Sequence, residues 1–298
     1  MFITIFLTAQ LLRLCLLFNA LCVLLTLQNL HQGARIVMTE LMEFAGNLAR
    51  QAGKMLADKQ TKQNRVYYKG SIDLVTEADK MSEELILTQI SQRYPEHGIL
   101  SEESAAKNEQ AIMRWIIDPL DGTTNYAHGF PFFCVSIALE QEGRVELGVI
   151  YDPTRDDLFT ATLAGGAYLN GKKLQVSSQS DLSRSLLATG FPYDIRVSAD
   201  NNLDFFNAMV VRVQAIRRAG AAALDLAYLA AGRFDGFWEL KLKPWDTAAG
   251  CLMVTEAGGV VSDLTGGKWS LHSPALVASN SLIHEQMMEV LNSSLPLR

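Results

Sequence analysis

The stretch Trp115-Ile116-Ile117-Asp118-Pro119-Leu120-Asp121-Gly122-Thr123-Thr124-Asn125 decides the reading of this chain. Its aromatic and β-branched start reads as a buried strand. Pro119 lacks the N–H that a central strand needs, so the pattern predicts that Asp118 stands where the strand leaves its sheet. Asp121 follows on the next turn of chain. Gly122 admits a tight turn, and Thr123, Thr124 and Asn125 are residue types that cap helix N-termini. The amides after Asp121 are expected to point outward at a helix start, an arrangement that binds phosphate oxygens. A lone Asp-Pro or Asp-Gly is usually a turn. Two acids so close together at a strand end repel one another unless a cation offsets them, and that points to metal ligands.

Further acids join this pair. The run Asp73-Leu74-Val75-Thr76-Glu77-Ala78-Asp79 leads into a helical pattern with Met81, Leu85, Leu87 and Ile90 as its apolar positions, ending at Tyr94-Pro95. Asp79 near that start reads either as a helix cap or as a site carboxylate. Gly98-Ile99-Leu100-Ser101 reads as a short strand running into Glu102-Glu103-Ser104, a second acidic pair at a strand end. Downstream, Trp238-Glu239 and Lys243-Pro244-Trp245-Asp246-Thr247 repeat the design of an apolar residue or proline, an acid and a helix start. Asp246 reads as an N-cap and equally as a ligand. Every candidate donor is an oxygen, which favours a hard cation. The five histidines show no metal-binding spacing, and His128 reads as structural. Cys15, Cys22, Cys134 and Cys251 form neither a C-x-x-C pair nor a disulfide framework, so they read as small hydrophobes in a reducing compartment.

Composition narrows the class. A chain of 298 residues with 49% hydrophobic side chains has the apolar content for one large or two modest domains. Its 26 basic residues are outnumbered by 32 acidic ones and form no long run, so nucleic acid is not expected as the primary ligand. Arg212, Arg217 and Arg218 are read as facing solvent or an interface. Residues 1–37 form an apolar extension whose first thirty residues carry only Arg13 as a charge. Three readings stand for it: a start-site artefact upstream of Met38, a membrane anchor, or a packed helix. A cleaved signal fits less well, because the positive n-region is missing.

From Thr39 the apolar residues Leu41, Met42, Ala45, Leu48, Ala49, Ala52, Met55 and Leu56 recur at helical spacing and read as a core-facing stripe. Strands are expected over Phe133 to Glu140, Val145 to Tyr151 and Leu158 to Ala161, with Gly165 to Gly171 as a turn cluster. The polar stretch Ser177 to Asp181 reads as a boundary, which divides the chain into 1–37, an N-terminal half 38–180 and a C-terminal half 181–298. In the last part, helices are expected over Ala221 to Ala231, Thr247 to Ala257 and Leu282 to Leu291, and strands over Gly236 to Glu239, Val260 to Asp263 and Ala275 to Ser279.

Taken together these motifs resemble the inositol monophosphatase family of lithium-sensitive, magnesium-dependent phosphatases over roughly residues 40 to 295. Trp115 to Pro131 is similar to the family's first signature and Trp245 to Gly259 to its second. Lys69 with Asp73 to Asp79, Glu102-Glu103-Ser104 and Arg217 to Asp225 are similar to its lesser motifs. The resemblance implies an α+β fold, a layered αβαβα sandwich with the metal site between its halves, and commonly a cytoplasmic homodimer. It implies that Glu102, Asp118 and the Leu120 carbonyl hold one metal, and that Asp118, Asp121 and Asp246 hold another. A third, weaker ion would lean on Glu102. The ions would be Mg2+, with Mn2+ as a substitute. Thr123 with Asp79 and Glu102 would activate water, the amides of Gly122 and Thr123 would take phosphate oxygens, and Gly220, Ala222, Glu239 and Asp246 would face the alcohol. Position 221 is Ala where many relatives carry Ser or Thr, which removes one hydroxyl from that end.

The function expected is metal-assisted hydrolysis of inositol 1-phosphate or a similar small polyol or sugar monophosphate by direct attack of water. The alternatives are another ester handled by the same fold, such as a 3′-phosphonucleotide, fructose 1,6-bisphosphate, histidinol phosphate or NADP, or a binding protein that uses the old site as a partner surface.

Overall fold

The computed structural model describes residues 36–60, 66–68 and 74–293, with backbone alone for 66–68 and 74–75. The readings of residues 1–35, Lys69 and Asp73 lie outside the described residues. The chain divides into two compact units, Met1–Phe44 and Ala45–Arg298. Of the first, helical backbone over 36–44 is described. All that follows concerns the second, which begins within helix α1 (36–60).

Two sheets carry the architecture. The first has seven strands: β3 (Gly98–Ser101), β4 (Met113–Asp121), β5 (Cys134–Gln141), β6 (Arg144–Asp152), β7 (Asp157–Thr162), β8 (Gly166–Leu169) and β9 (Lys172–Lys173), adjacent in that order. Only β3 and β4 run parallel; the others form an antiparallel meander joined by tight turns. A small hairpin pairs β1 (Val66–Tyr68) with β2 (Leu74–Thr76), which feeds α2 (Glu77–Arg93). The second sheet takes the order β11 (Ala215–Arg217), β10 (Leu186–Thr189), β12 (Gly236–Leu240), β14 (Ala275–Ser279) and β13 (Val260–Ser262). The polar stretch Ser177 to Asp181 lies between the last strand of one sheet and the first of the other.

A pair of helices, α5 (Ala222–Ala230) and α6 (Pro244–Glu256), packs together and touches strands of both sheets, which places it between them. Their small residues explain how. A Cβ on Gly250 would sit 2.6 Å from that of Leu226, and one on Gly148 of β6 would sit 2.8 Å from the Ala249 backbone, so these elements approach more closely than larger side chains allow. On the far face of the second sheet, α4 (Leu203–Val210) and α7 (His284–Ser293) share a core with Leu187, Trp238, Leu240 and Val277. Alternation along β12 sorts its side chains: Phe237 points into the α5/α6 core, and Trp238 and Leu240 into the α4/α7 core. With α1 and α2 as the outer helices, the fold is the expected α+β layered αβαβα sandwich.

Several elements differ from expectation. β4 continues through Pro119 to Asp121, so Asp118 does not mark its end. The register instead shifts between Asp118, opposite Ser136, and Asp121, opposite Cys134; this one-residue bulge is where a residue without an N–H is tolerated. Helix α6 starts at Pro244, not Thr247, because proline suits the first helical position. The Gly165 to Gly171 cluster holds a strand, β8, inside its turns. In α2 the buried face carries Ser82 and Glu83 alongside Ile86, Leu87 and Ile90, and the half-exposed Met81 and Leu85 lie off it. Among the described residues, no helix is long and apolar enough to cross a membrane.

Candidate active site

The ends of β3 and β4, the turn after β4, the starts of α5 and α6 and the end of β12 surround one cavity of about 480 Å3. Its volume suits a small molecule. Glu102, Asp118, Leu120, Asp121, Gly122, Thr123, Gly220, Ala222, Glu239 and Asp246, all named from sequence, line it. Asp79 lies one layer behind, fully buried.

Each carboxylate is placed by local structure. Asp118 accepts the Leu120 N–H at 3.0 Å across the bulge, and Asp121 Oδ2 accepts the Ala223 N–H at 2.8 Å, at the positive end of α5. Asp246 is the third residue of α6 and accepts the Lys243 N–H at 2.7 Å; it closes a capping box and is not itself the N-cap. Asp79 plays the same part in α2, accepting the Thr76 N–H at 2.8 Å, while its other oxygen accepts from Thr123 Oγ1 at 3.0 Å. Asp79 thus closes the α2 capping box, in which Thr76 is the N-cap, and with its other oxygen reaches a residue that lines the cavity. Thr123 Oγ1 also lies 3.1 Å from the Leu120 carbonyl, and its single proton serves one acceptor at a time.

The turn is tighter than the sequence suggested. Gly122, left-handed at φ 90°, is the N-cap of the short helix α3 (Thr123–Ala127), so the threonines lie inside the helix. A Cβ there would meet the Phe132 carbonyl at 3.0 Å and Ala221 Cβ at 3.2 Å. Asn125 does not cap; its amide donates to the carbonyls of Phe132 at 2.7 Å and Ala219 at 2.8 Å, tying the turn to the chain before α5. On the opposite side, Glu83 accepts from Ser101 Oγ, from the Glu103 N–H at 3.2 Å and from Ser104 Oγ at 2.6 Å. Those bonds hold the backbone on both sides of Glu102.

Burial and mutual repulsion raise the carboxyls that line the cavity. Burial, then repulsion from Glu102, Asp121 and Asp246, pushes Asp118 well above the usual carboxylate range. Burial and repulsion from Asp121 do the same to Asp246. Burial lifts Asp121 to about 6 despite the amides of α5. The leading influences on the three are burial, neighbouring acids and hydrogen bonds. Among the described residues, no three acid, histidine or cysteine side chains already stand as a closed metal-ligating cluster. These acids line one cavity and repel one another, and an oxygen-only donor set is of the kind that a hard divalent cation takes.

Sequence reading missed three contributors. Arg218, expected to face solvent or an interface, is exposed and also lines the cavity, where it acts on Glu239. Gly190, just past an unassigned strand, packs directly on the Glu239 carboxyl. Asp225 lines the cavity from α5; an acid inside the run Ala-Ala-Leu-Asp-Leu-Ala was the available signal. His128 is exposed at the end of α3, outside the cavity, and Cys134 and Cys251 are buried.

Residues 37–296 match the model of the inositol monophosphatase family. A Pseudomonas aeruginosa protein named Nus factor SuhB is 43% identical over 87% of this chain and 98% of its own length. An inositol-1-monophosphatase of Mesorhizobium japonicum is 43% identical over 84% of this chain and 95% of its own. The solved inositol monophosphatase from Anabaena (Nostoc) superposes with a TM-score of 0.80 at 41% identity, covering 87% of this chain and 98% of that one.

Proposed function

This chain belongs to the inositol monophosphatase family, and from that premise we propose that it hydrolyses inositol 1-phosphate, or a similar small polyol or sugar monophosphate, to the alcohol and inorganic phosphate. The observation that carries this reading is one cavity lined by Glu102, Asp118, Asp121, Asp246 and Glu239 together with Thr123, whose hydroxyl donates to Asp79.

The family is generally metal-dependent, and two or three Mg2+ ions, or Mn2+ in their place, held by Glu102, Asp118, the Leu120 carbonyl, Asp121 and Asp246 would offset the phosphate charge and make water a stronger acid. Thr123 donates its hydrogen bond to Asp79, which leaves its oxygen lone pairs to accept from water and orient it for in-line attack. As water attacks, its proton passes to Thr123 Oγ1 while the threonine proton passes to Asp79, which becomes the neutral acid. The first amides of α3 have no intrahelical partner and receive phosphate oxygens. Direct attack by water needs no phosphoenzyme, so a quench during turnover should trap no phosphate on Thr123.

A substrate panel tests the choice of alcohol. Inositol 1-phosphate should be preferred over 3′-AMP, fructose 1,6-bisphosphate, histidinol phosphate and NADP; a tenfold preference for any of these would replace the polyol reading by that ester. Relatives named Nus factor SuhB favour a second reading, in which the folded chain also serves a protein partner. A stoichiometric partner retained by Asp118→Asn would support it. The same family reading carries a cytoplasmic homodimer, which sedimentation and fractionation would check.

A further inference from the structure

The buried Asp79, Asp118 and Asp121 and the half-buried Asp246 each receive a backbone N–H. Asp225 and Glu239 differ. Asp225 is 1% exposed and its Oδ1 is buried with no hydrogen-bond partner. No side-chain hydrogen bond reaches Glu239 among the described residues. Both line the same cavity as Asp121 and Thr123. Their positions follow from the fold: Asp225 is on the turn of α5 whose Ala223 amide holds Asp121, and Glu239 points from β12 toward the α5/α6 layer, pressed against Gly190.

A buried carboxyl without a partner is costly, whereas an apolar side chain of similar volume in its place is not. Something that enters the cavity must supply the missing partner. Arg218 acts on both groups but forms an ion pair with neither among the described residues. Two carboxyl groups that line one cavity and act on each other, neither with a side-chain hydrogen bond among the described residues, suit two hydroxyls of one ligand, since a hydroxyl both donates and accepts and can satisfy a carboxyl in either protonation state.

We propose that Asp225 is a second polyol-reading residue, which with Glu239 takes two hydroxyl groups on the alcohol part of the substrate. The proposal rests on the phosphatase reading above. It makes the preferred substrate a monophosphate whose alcohol carries at least two hydroxyl groups besides the ester.

The test compares kcat/KM for inositol 1-phosphate with that for phenyl phosphate, which has no hydroxyl, in the wild type, Asp225→Asn and Asp225→Leu, together with Tm. The ratio should fall about tenfold or more in Asp225→Leu, through KM, the order expected for one lost hydrogen bond. In Asp225→Asn, which keeps a donor and an acceptor, it should stay within about threefold. The Tm of Asp225→Leu should equal or exceed that of the wild type. An unchanged ratio in Asp225→Leu overturns the proposal, as does an equal loss on both esters with a lowered Tm, which marks a structural role. If the leucine variant does not fold, Asp225→Ala gives the same readout. A wild type with no preference for inositol 1-phosphate removes the polyol reading itself, and the proposal with it.

Discussion

Replacing Gly190 by alanine should separate substrate recognition from stability. A Cβ at this position would lie 2.1 Å from Glu239 Oε1 and 2.3 Å from its Cδ and Oε2, where ordinary contact begins at 3.4 Å. The carboxyl group must therefore retreat by about 1 Å, and a displacement of that size in a positioning group costs on the order of 100-fold. Overpacking usually destabilises by about 1–3 kcal/mol. Here the atoms struck are the far end of a flexible side chain, so the low end applies, and the alanine returns about 0.4–1 kcal/mol by restricting the unfolded chain. The two nearly cancel. Melting of Gly190→Ala by calorimetry should fall within about 4 °C of the wild type. Its kcat/KM on inositol 1-phosphate should drop about 100-fold, with a much smaller loss on phenyl phosphate. Unchanged turnover of inositol 1-phosphate would refute the placement of Glu239 at the alcohol, and a large drop in melting temperature would refute the claim that only a side-chain end is displaced.

Other consequences are equally specific. Thr123→Val keeps the shape but removes the hydroxyl between Asp79 and the cavity, so kcat should fall about 10²–10⁴-fold while Thr123→Ser stays close to the wild type; equal losses in both would remove Thr123 from proton handling. Burial holds Glu239 at about 8 in the folded chain against 4.5 as its ordinary value, so the folded state binds its proton more tightly. In the metal-free protein, stability therefore falls as pH rises from about 4.5 toward about 8, and the stabilising effect of Glu239→Gln should grow across that window by at most about 1.4 kcal/mol per pH unit. A difference that does not change with pH would contradict the buried, unpaired placement. Glu83→Gln weakens the bonds on both sides of Glu102, and its magnesium requirement should rise about 10–100-fold in titrations of activity. An unaltered requirement would show that the Glu102 loop holds itself.

Much of this site was legible because its carboxylates sit at element ends that announce themselves in sequence. The run Trp115 to Asn125 carries a strand, a bulge, a left-handed glycine and a helix start within eleven residues, and the acids are placed by those local turns. Errors arose where two local rules competed. Pro119 was read as the end of a strand, yet a bulge absorbs it. Asp246 was read as an N-cap, although Pro244 had already moved the helix start upstream. The missed residues share a different cause. Whether Arg218, Gly190 and Asp225 reach the cavity depends on how α5, β10 and β12 meet, a long-range arrangement on which hydrophobic periodicity is silent. Asp225 alone left a trace, as a charge in a run otherwise fit for a core helix.

The central claim is that the acids lining the cavity hold magnesium for hydrolysis of a polyol phosphate. The most direct measurement is phosphate release from inositol 1-phosphate by the purified chain, with and without magnesium and lithium, beside Asp118→Asn. Magnesium-dependent turnover, inhibited by lithium and abolished in Asp118→Asn while that variant remains folded, is the expected result. Turnover that persists in chelator or survives Asp118→Asn would contradict it.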